Sequence, residues 1–216
     1  GVTAFTCGAV WAGLTAAAKF AQAFGEIALA QRYRVAADEI KVGVVNILYR
    51  PELSRFVRMA VRTSDGRWKI DPTLDSSLFG LWYFGMFAPD DPRIVETMLA
   101  VHERLWIKTT VGGMARYEGD GYHRQTDDAA NVPGNPWFIA TLWLAQWRIA
   151  MAKTKEDLKA PVTLLEWCAS HALPSGVLAE QIHPYTHAPL SVSPLTWSHA
   201  AFVTAVQEYL RRWHSL

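Results

Sequence analysis

Long polar loops separate the predicted helices of this chain at alternate junctions, and this alternation constrains the fold more than any other feature of the sequence. Apolar residues recur at helical spacing in seven segments, at about residues 3–24, 26–49, 74–87, 92–106, 136–151, 155–171 and 196–213. The long loops cover residues 109–135 and 173–195. We therefore expect an all-α fold, and a barrel of helical hairpins, which gathers long loops at one end, is one arrangement that fits the alternation. A solenoid of stacked helices stays open as an alternative, although no residue-level repeat is visible.

One stretch departs from the helical pattern. Residues 54–69, SRFVRMAVRTSDGRWK, alternate well enough to predict a short β-hairpin that turns at Asp65–Gly66. We interpret it as a decoration on a helical fold. Pro92 and Pro136 are predicted in the first turns of their helices, where proline is tolerated, with Asn135 as the cap before Pro136.

Composition and charge exclude several functional classes. The 216 residues are 50% hydrophobic and 19% charged, which is ordinary for one domain with its own core. The formal net charge is +1 and no run of either sign occurs, so neither nucleic acid nor an anionic membrane is an expected partner. No metal-binding HExxH or CxxC pattern, Walker loop or serine-hydrolase elbow is present, and no metal or cofactor is expected.

The cellular compartment is only weakly constrained by the sequence. Cys7 and Cys168 lie in apolar helical patterns, so buried thiols are predicted rather than a disulfide. The chain shows neither an apolar run of membrane-spanning length nor the charged flank of a signal peptide, and we expect a cytoplasmic protein. It starts at Gly1 and runs directly into a helical pattern, which indicates that an amino-terminal part lies elsewhere.

The first long loop carries a cluster of polar and aromatic side chains. It reads GGMARYEGDGYHRQTDDAANVPGNPW over residues 112–137 and contains Arg116, Asp120 and Tyr122. A guanidinium and a carboxylate four residues apart in a rigid turn can bind vicinal hydroxyls of a sugar through paired hydrogen bonds. An exposed salt bridge that contributes little is the alternative, and composition alone favours that alternative.

The second long loop places one carboxylate among hydrogen-bonding and aromatic groups. It reads LPSGVLAEQIHPYTHAPLSVSP over residues 173–194, and the carboxylate is Glu180. Pro189 and Pro194 are predicted to keep the segment out of regular structure. A solvated loop acid is the ordinary interpretation of such a residue. The length of the loop and the helix start with a bulky aromatic at Thr196–Trp197 favour a functional role instead.

Both loops resemble segments of glycoside hydrolase family 15, the glucoamylase family. Glu180–Gln181 in a small-residue turn, followed after a proline-rich spacer by LTWSHAAFV, is similar to the segment that carries the catalytic base of that family. The order Arg-Tyr, Asp, Tyr and Asn-Pro-Trp in the first loop also matches, as does DPTLDSSLFGLW at residues 71–82. The resemblance therefore covers most of the chain.

The resemblance implies a role for each matched residue. Glu180 would be the general base that activates water, and Arg116 and Asp120 would hold the terminal glucose. It also implies pocket or supporting roles for Tyr122, Trp137, Trp197, Asn135 and Gln181. Asp127 and Asp128 fall in an insertion and are assigned no role.

One part of the family pattern is missing from this sequence. The general acid of the family lies in a Trp-Glu-x-Arg motif upstream of the helix that begins here near residue 3, and no Trp-Glu dipeptide occurs in the chain. We therefore expect residues 1–216 to be the carboxy-terminal portion of a single (α/α)6 catalytic domain, about seven of its twelve helices. The amino-terminal half of the same enzyme is then an expected partner.

The expected activity is inverting hydrolysis of α-glucosidic bonds, with release of glucose from the non-reducing ends of α-glucans. An α,α-trehalase of the same family would share both loops, so a glucose disaccharide is an alternative substrate. A non-catalytic carbohydrate-binding helical module is the alternative from a different class. An upstream Trp-Glu-x-Arg motif would distinguish an enzyme from such a module.

Overall fold

Helices dominate the structure, a computed structural model that describes residues 1–216. The α-helices are α1 (Ala4–Ala23), α2 (Ile27–Gly43), α3 (Gly80–Tyr83), α4 (Pro92–Leu105), α5 (Phe138–Met151), α6 (Lys159–Ser170) and α7 (Thr196–Ser215). Six of the seven predicted helical segments contain one of them and the seventh, 196–213, overlaps α7, so the mostly helical fold class is confirmed. The chain divides into two units: residues 1–73 with 77–98, and residues 74–76 with 99–216.

In the first unit, α1 packs along α2 and also contacts α3. The hydroxyl of Thr3 caps α1 by accepting a hydrogen bond from the Thr6 amide at 3.3 Å. Gly8 lets α1 approach α3 closely, since a Cβ atom there would lie 3.0 Å from the Gly80 carbonyl oxygen. The α2 helix continues into a π-helical turn at Val44–Leu48.

The predicted hairpin is present, but it is more than a decoration. Strand β1 (Val2–Thr3) pairs with β4 (Met59–Arg62), and β4 pairs with β5 (Trp68–Asp71) to give a three-stranded antiparallel sheet. Gly66 supplies the positive φ of 83° that the β4–β5 turn requires. A second, two-stranded sheet joins β2 (Tyr49–Arg50) and β3 (Arg55–Phe56).

The third predicted helix, residues 74–87, is much shorter in the structure. A 3₁₀ turn at Ser76–Phe79 leads into the four residues of α3, and Gly85 at φ 82° follows. A left-handed residue cannot continue a helix, so the apolar run ends there although its pattern extends further. Leu74 and Ser76 are instead bonded to the first long loop, through Glu118 and the Arg116 carbonyl.

In the second unit, α5 is the central element and packs against both α6 and α7. It is buried on almost every face, which agrees with its nearly continuous apolar sequence. The unit also contains a four-stranded antiparallel sheet in the order β6 (Met114–Ala115), β7 (Pro136–Trp137), β8 (Gln181–Ile182) and β9 (Pro189–Leu190). The Thr141 hydroxyl joins this sheet to α5, because it accepts from the Met114 amide at 3.0 Å and donates to the Trp137 carbonyl at 2.8 Å.

Two predictions about prolines in these loops are wrong. Pro136 belongs to β7 rather than to the first turn of α5, so Asn135 is not a helix cap. Pro189 belongs to β9, although it was expected to prevent regular structure. Both prolines are compatible with very short strands because few ladder hydrogen bonds are required there.

The α1 helix is long and apolar enough to cross a membrane by length and composition. This differs from the prediction of no apolar run of membrane-spanning length, because Lys19 is the only charged residue in the helix. The helix packs on α2 and α3, and 22% of its apolar window is buried. Of the two thiols, Cys168 is buried as predicted, whereas Cys7 is only partly buried.

Candidate active site

The four-stranded sheet of the second unit places Glu180 opposite Ser191. The β8–β9 register pairs Gln181 with Leu190 and Ile182 with Pro189, so one step further along the ladder brings residues 180 and 191 together. The Glu180 amide donates to the Val192 carbonyl at 2.9 Å, and its carbonyl accepts from Phe138 at 3.4 Å. Because both backbone groups of Glu180 are bonded, the base of its side chain has a fixed position.

The Glu180 carboxylate is partly buried and is held by neutral donors. The Ser191 hydroxyl donates to Oε2, and the Gln181 amide donates to the same oxygen at 3.4 Å. The other oxygen, Oε1, accepts no hydrogen bond from the chain. A carboxylate with one fixed oxygen and one available oxygen has the arrangement that a base needs to orient and deprotonate a water.

A second group of contacts fixes the residues beside Glu180. The Asn135 amide donates to Gln181 Oε1 and to the His123 carbonyl, both at 2.8 Å. From α7, the Ser198 hydroxyl donates to the Ala179 carbonyl at 2.8 Å. Asn135, Gln181 and Ser198 are all buried, so the backbone before and after Glu180 rests on side chains with little freedom.

Arg116 and Asp120 form a bidentate ion pair. Arg116 Nε donates to Asp120 Oδ2 and Nη2 donates to Oδ1, each at 2.8 Å. Asp120 Oδ1 also accepts from the Tyr122 amide at 3.0 Å. Burial has the largest single effect and lowers the pKa of Arg116, but the hydrogen bonds and Coulombic attraction of Asp120, together with Tyr117, raise that pKa above its ordinary value. The pair is therefore charged and rigid.

Exposure distinguishes the two members of this ion pair. The Asp120 side chain is 1% exposed, whereas 35% of the Arg116 side chain can be reached by solvent. The exposed-salt-bridge alternative is therefore wrong for this pair. The Asp120 carboxylate accepts three hydrogen bonds, and with 1% of its side chain exposed it orients Arg116 rather than facing solvent. Arg116 is the member that can reach a ligand.

Aromatic rings surround the Arg116 guanidinium. Its central carbon lies 4.5 Å from the Trp137 ring centroid, 4.9 Å from that of Tyr117 and 5.5 Å from that of Tyr122. Such cation–π contacts favour the charged guanidinium in a fixed plane. Tyr122 is 44% exposed, so it presents an apolar surface beside the guanidinium, which is the combination that sugar rings bind.

Two buried polar atoms, one in β7 and one in the residue before it, have no hydrogen-bond partner in the chain. They are the Asn135 Oδ1 acceptor and the Trp137 Nε1 donor. Residues at i and i+2 of a strand project from the same face, so both groups belong to the side of β7 that carries the Gln181 contact. Buried polar atoms are normally paired, and a bound water or ligand hydroxyl can satisfy both groups.

Besides the Asn135–Gln181 contact, a pair of hydroxyl groups joins the two long loops beside the carboxylate. The Tyr122 and Ser191 hydroxyl oxygens are 3.4 Å apart, and Ser191 is the residue that donates to Glu180. Trp197 lies in the first turn of α7, one residue before Ser198, and is 52% exposed. Its ring meets Trp143 edge to face at a centroid distance of 5.8 Å. An exposed indole at this position offers a further apolar surface.

Comparison with known proteins assigns the chain to a family. The model of "Glycosyl hydrolases family 15" matches residues 1–165 and 150–207. The chain therefore belongs to glycosyl hydrolase family 15. An uncharacterized glycosyl hydrolase of Methanocaldococcus jannaschii is 31% identical over 218 aligned residues, which cover 96% of this chain and 32% of that protein. A trehalase of Mycobacterium tuberculosis is 30% identical and covers 93% of this chain and 26% of the trehalase.

The fold of a solved family member agrees with this assignment. The crystal structure of a bacterial glucoamylase complexed with acarbose superimposes with a TM-score of 0.82 at 24% identity, over 98% of this chain and 34% of that one. The chain therefore has the glucoamylase-like fold. It spans about a third of the length of the relatives that it matches.

The structure groups most of the predicted site residues of this family 15 chain around one sheet. Hydrogen bonds and ring contacts connect Glu180, Gln181, Asn135, Tyr122, Asp120, Arg116 and Trp137. Trp197 is linked to this group only through the α7 turn that carries Ser198. Trp137 is buried, with 2% exposure, so it supports Arg116 rather than offering its own face.

Sequence reasoning missed Ser191, whose hydroxyl is the nearest partner of Glu180. The spacing between Gln181 and Pro189 permits a β-hairpin that would reveal Ser191, whereas the prolines alone favour an irregular loop. His183 and His187 share helical spacing but do not converge. His183 Nδ1 accepts the backbone amides of Tyr185 and Thr186, whereas His187 is bonded to His171.

Proposed function

We propose that this chain is the base-bearing, carboxy-terminal part of an inverting α-glucosidase that releases glucose from the non-reducing ends of α-glucans. The observation that carries the proposal is the connected group in which Ser191 links the Glu180 carboxylate to the Tyr122–Arg116–Asp120 loop. It combines a carboxylate that can activate water with a rigid guanidinium and exposed aromatic surface, which are the groups needed to hold and attack a sugar.

In this mechanism Glu180 is the general base. Its free Oε1 would take a proton from a water that attacks the anomeric carbon, while Ser191 and Gln181 hold Oε2. Arg116 would donate hydrogen bonds to hydroxyls of the terminal glucose, and Asp120 would keep the plane of the Arg116 guanidinium fixed. Inverting glycosidases separate base and acid by roughly 6.5–9.5 Å, so a second carboxylic acid must lie across the sugar from Glu180.

We propose that this acid lies in sequence upstream of residue 1, in a Trp-Glu-x-Arg motif. The chain spans 32% of the length of the M. jannaschii relative, which leaves ample room for the remaining helices of an (α/α)6 barrel. Large apolar side chains are exposed on α1, at Val10 and Phe20, and on α7, at Val203 and Leu210. The amino-terminal half of the barrel would cover them, because such patches are uncommon on monomers.

The direct test of the base is Glu180→Gln in the full-length enzyme. This change keeps the shape and the acceptor for Ser191 but removes the basic oxygen, so we expect at least about a 10²-fold loss of kcat. Stability should stay within about 1 kcal/mol, because the carboxylate makes only neutral, partly exposed contacts. Near-normal glucose release by this variant would contradict the assignment of Glu180 as the general base. Release of the β-anomer from an α-glucoside, followed by NMR, tests inversion.

An α,α-trehalase is the second candidate, and the M. tuberculosis trehalase at 30% identity favours it. Measuring glucose release from trehalose, maltose and soluble starch by the full-length enzyme separates the two activities. A carbohydrate-binding module without catalysis would bind these sugars and release nothing. For residues 1–216 alone we expect no hydrolysis, and self-association on light scattering. A monomeric, active 216-residue protein would overturn the partial-barrel proposal.

A further inference from the structure

The two residues before the proposed base are held by the start of α7. The Leu178 carbonyl accepts a hydrogen bond from the Leu195 amide at 3.0 Å, and the Ala179 carbonyl accepts from the Ser198 hydroxyl at 2.8 Å. The Leu178 amide donates to His199 Nε2, also at 3.0 Å. Leu195 directly precedes α7, and Ser198 and His199 lie in its first turn. Three neighbouring backbone groups are therefore bonded to one helical turn.

The imidazole of His199 supplies what the backbone of a helix start lacks. The first turn of a helix has N–H groups without a partner inside the helix, whereas its carbonyls already accept from the next turn. Such a turn can donate to a neighbouring carbonyl, but it has no backbone acceptor for the Leu178 amide. An amide can only donate, so His199 Nε2 is unprotonated in this contact and Nδ1 carries the proton of the neutral ring.

The chain on the other side of Leu178 does not provide this support. The preceding turn is bonded to itself, since the Leu173 amide donates to the Val177 carbonyl at 2.9 Å and the Gly176 amide donates to the Leu173 carbonyl at 2.7 Å. Residues 174–176 are exposed. Leu178 itself is only 4% exposed, and a buried amide without an acceptor is costly, so its position depends on His199.

We propose that His199 is a positioning residue for the reaction: its Nε2 fixes the Leu178 amide and thereby the direction in which the backbone enters Glu180. This inference rests on the proposed role of Glu180 as the general base. The same turn of α7 carries Trp197, whose indole is 52% exposed. The contact therefore also fixes this apolar surface relative to the Glu180 carboxylate.

The contacts of Glu180 itself do not replace the bond to His199. The Glu180 amide donates to the carbonyl of Val192, which is exposed, and the Glu180 carbonyl accepts from Phe138 at 3.4 Å, which is long for a hydrogen bond. These two contacts hold the residue from the side of the sheet. The side of α7 is held through Leu178, so loss of the imidazole would let the segment tilt while the sheet contacts remain.

The expected effect is on kcat rather than on KM. A general base must lie within hydrogen-bond reach of the water that it deprotonates, and a small misplacement lowers the rate of that step. The proposed sugar contacts of Arg116 are fixed by Asp120 and by aromatic rings of the other long loop, none of which is bonded to His199. Substrate binding should therefore change little when the imidazole is replaced.

The test compares two replacements of similar size in the full-length enzyme. His199→Gln keeps an acceptor, because the amide oxygen of glutamine reaches about as far as Nε2, whereas His199→Leu has none. We expect His199→Leu to lower kcat about ten-fold with KM within about two-fold of the wild type, and His199→Gln to keep kcat within about two-fold. Wild-type kcat in His199→Leu, or equal losses in both variants, overturns the inference.

A histidine at the other end of the same helix provides the control. His214 lies in the last turn of α7 and is exposed, so His214→Gln makes the same chemical change away from Leu178 and should leave kcat and KM unchanged. Thermal unfolding of each variant separates positioning from folding. A His199→Leu protein that melts earlier but has wild-type kcat well below its melting temperature would show that the contact is only structural, which contradicts the inference.

A second measurement does not depend on catalysis. The Leu178 amide is bonded directly to the imidazole, so its hydrogen exchange with solvent reports whether the contact is closed. Exchange of residues 177–182, followed by mass spectrometry, should be faster in His199→Leu than in the wild type and unchanged in His199→Gln. Equal exchange in all three proteins contradicts the inference. Absence of glucose release by the wild type from any α-glucoside contradicts the proposed function and leaves the exchange result to decide on the contact of His199 with Leu178.

Discussion

The two loops that form the candidate active site are held in different ways. In residues 112–137, a bidentate ion pair with a 1%-exposed carboxylate fixes Arg116 among three aromatic rings. In residues 180–191, the Glu180 carboxylate is held only by a hydroxyl and a side-chain amide. The first loop therefore has one stable arrangement of its charged groups, whereas the second depends on weaker contacts. A guanidinium that binds sugar hydroxyls can be held rigidly, whereas a general base must keep one oxygen available for water.

The largest effects should follow from breaking the ion pair. Arg116→Ala and Asp120→Ala should each lower kcat/KM by about 10²-fold or more, because the first removes the proposed donors to the sugar and the second removes the bidentate contact that orients them. Asp120→Ala should also lower the free energy of unfolding by about 2 kcal/mol, since it leaves a partly buried guanidinium without its carboxylate. Steady-state kinetics and thermal unfolding of the full-length variants measure both quantities.

An exposed ion pair on α6 and its approach provides the control for this prediction. Lys159 and Glu156 are 2.7 Å apart, with side chains 74% and 73% exposed. Glu156→Ala should change stability by less than about 1 kcal/mol and leave the kinetics unchanged. If Asp120→Ala lowered only the melting temperature and not kcat/KM, the pair would be structural and the sugar-binding role of Arg116 would be wrong.

An intermediate effect is expected at the contact between the two loops. Asn135→Ala removes the donors to Gln181 Oε1 and the His123 carbonyl, and we expect about a ten-fold loss of kcat with a smaller change in KM. Asn135→Asp should be at least as harmful, because it places an acceptor against two oxygens. Equal activity of Asn135→Asp and the wild type would show that Gln181 does not depend on this contact.

The helical fold was predictable because hydrophobic periodicity is a local property. Segments such as 92–106 and 136–151 contain the observed helices α4 and α5 to within a few residues. The predicted length of the third helical segment was wrong because the left-handed Gly85 prevents the helix from continuing. Hydrophobic spacing does not reveal such a backbone conformation. The short strands β7 and β9 were not predicted either. Both contain prolines, so they can be recognised as strands only from the residues with which they pair.

The candidate site was predictable only in part, for a related reason. The resemblance identified Glu180, Arg116 and Asp120 by their place in the chain, but not their contacts. The burial of Asp120 depends on the fold around it, and the Ser191 contact depends on strand register. Sequence spacing can identify a carboxylate and a guanidinium in one loop, but it does not show which of the two is exposed.

A smaller effect is expected from the nearest partner of Glu180. Ser191→Ala removes the hydroxyl that donates to Oε2, and we expect about a five-fold lower kcat with unchanged KM. Ser191→Thr keeps the hydroxyl and is the matched control, although its branched side chain is disfavoured at φ 63°. A larger loss in Ser191→Ala than in Glu180→Gln would contradict the assignment of the base.

The smallest effect should be that of Tyr122→Phe. This change removes only a hydroxyl that lies 3.4 Å from the Ser191 hydroxyl, and it keeps the ring beside Arg116. Because that bond is long and exposed, kcat should fall by less than about two-fold. A double-mutant cycle of Tyr122→Phe with Ser191→Ala measures the coupling between the two loops directly, and we expect less than about 0.5 kcal/mol. A coupling above about 1 kcal/mol would mean that the loop with the Arg116–Asp120 ion pair also positions Glu180. The two loops would then not be held in different ways.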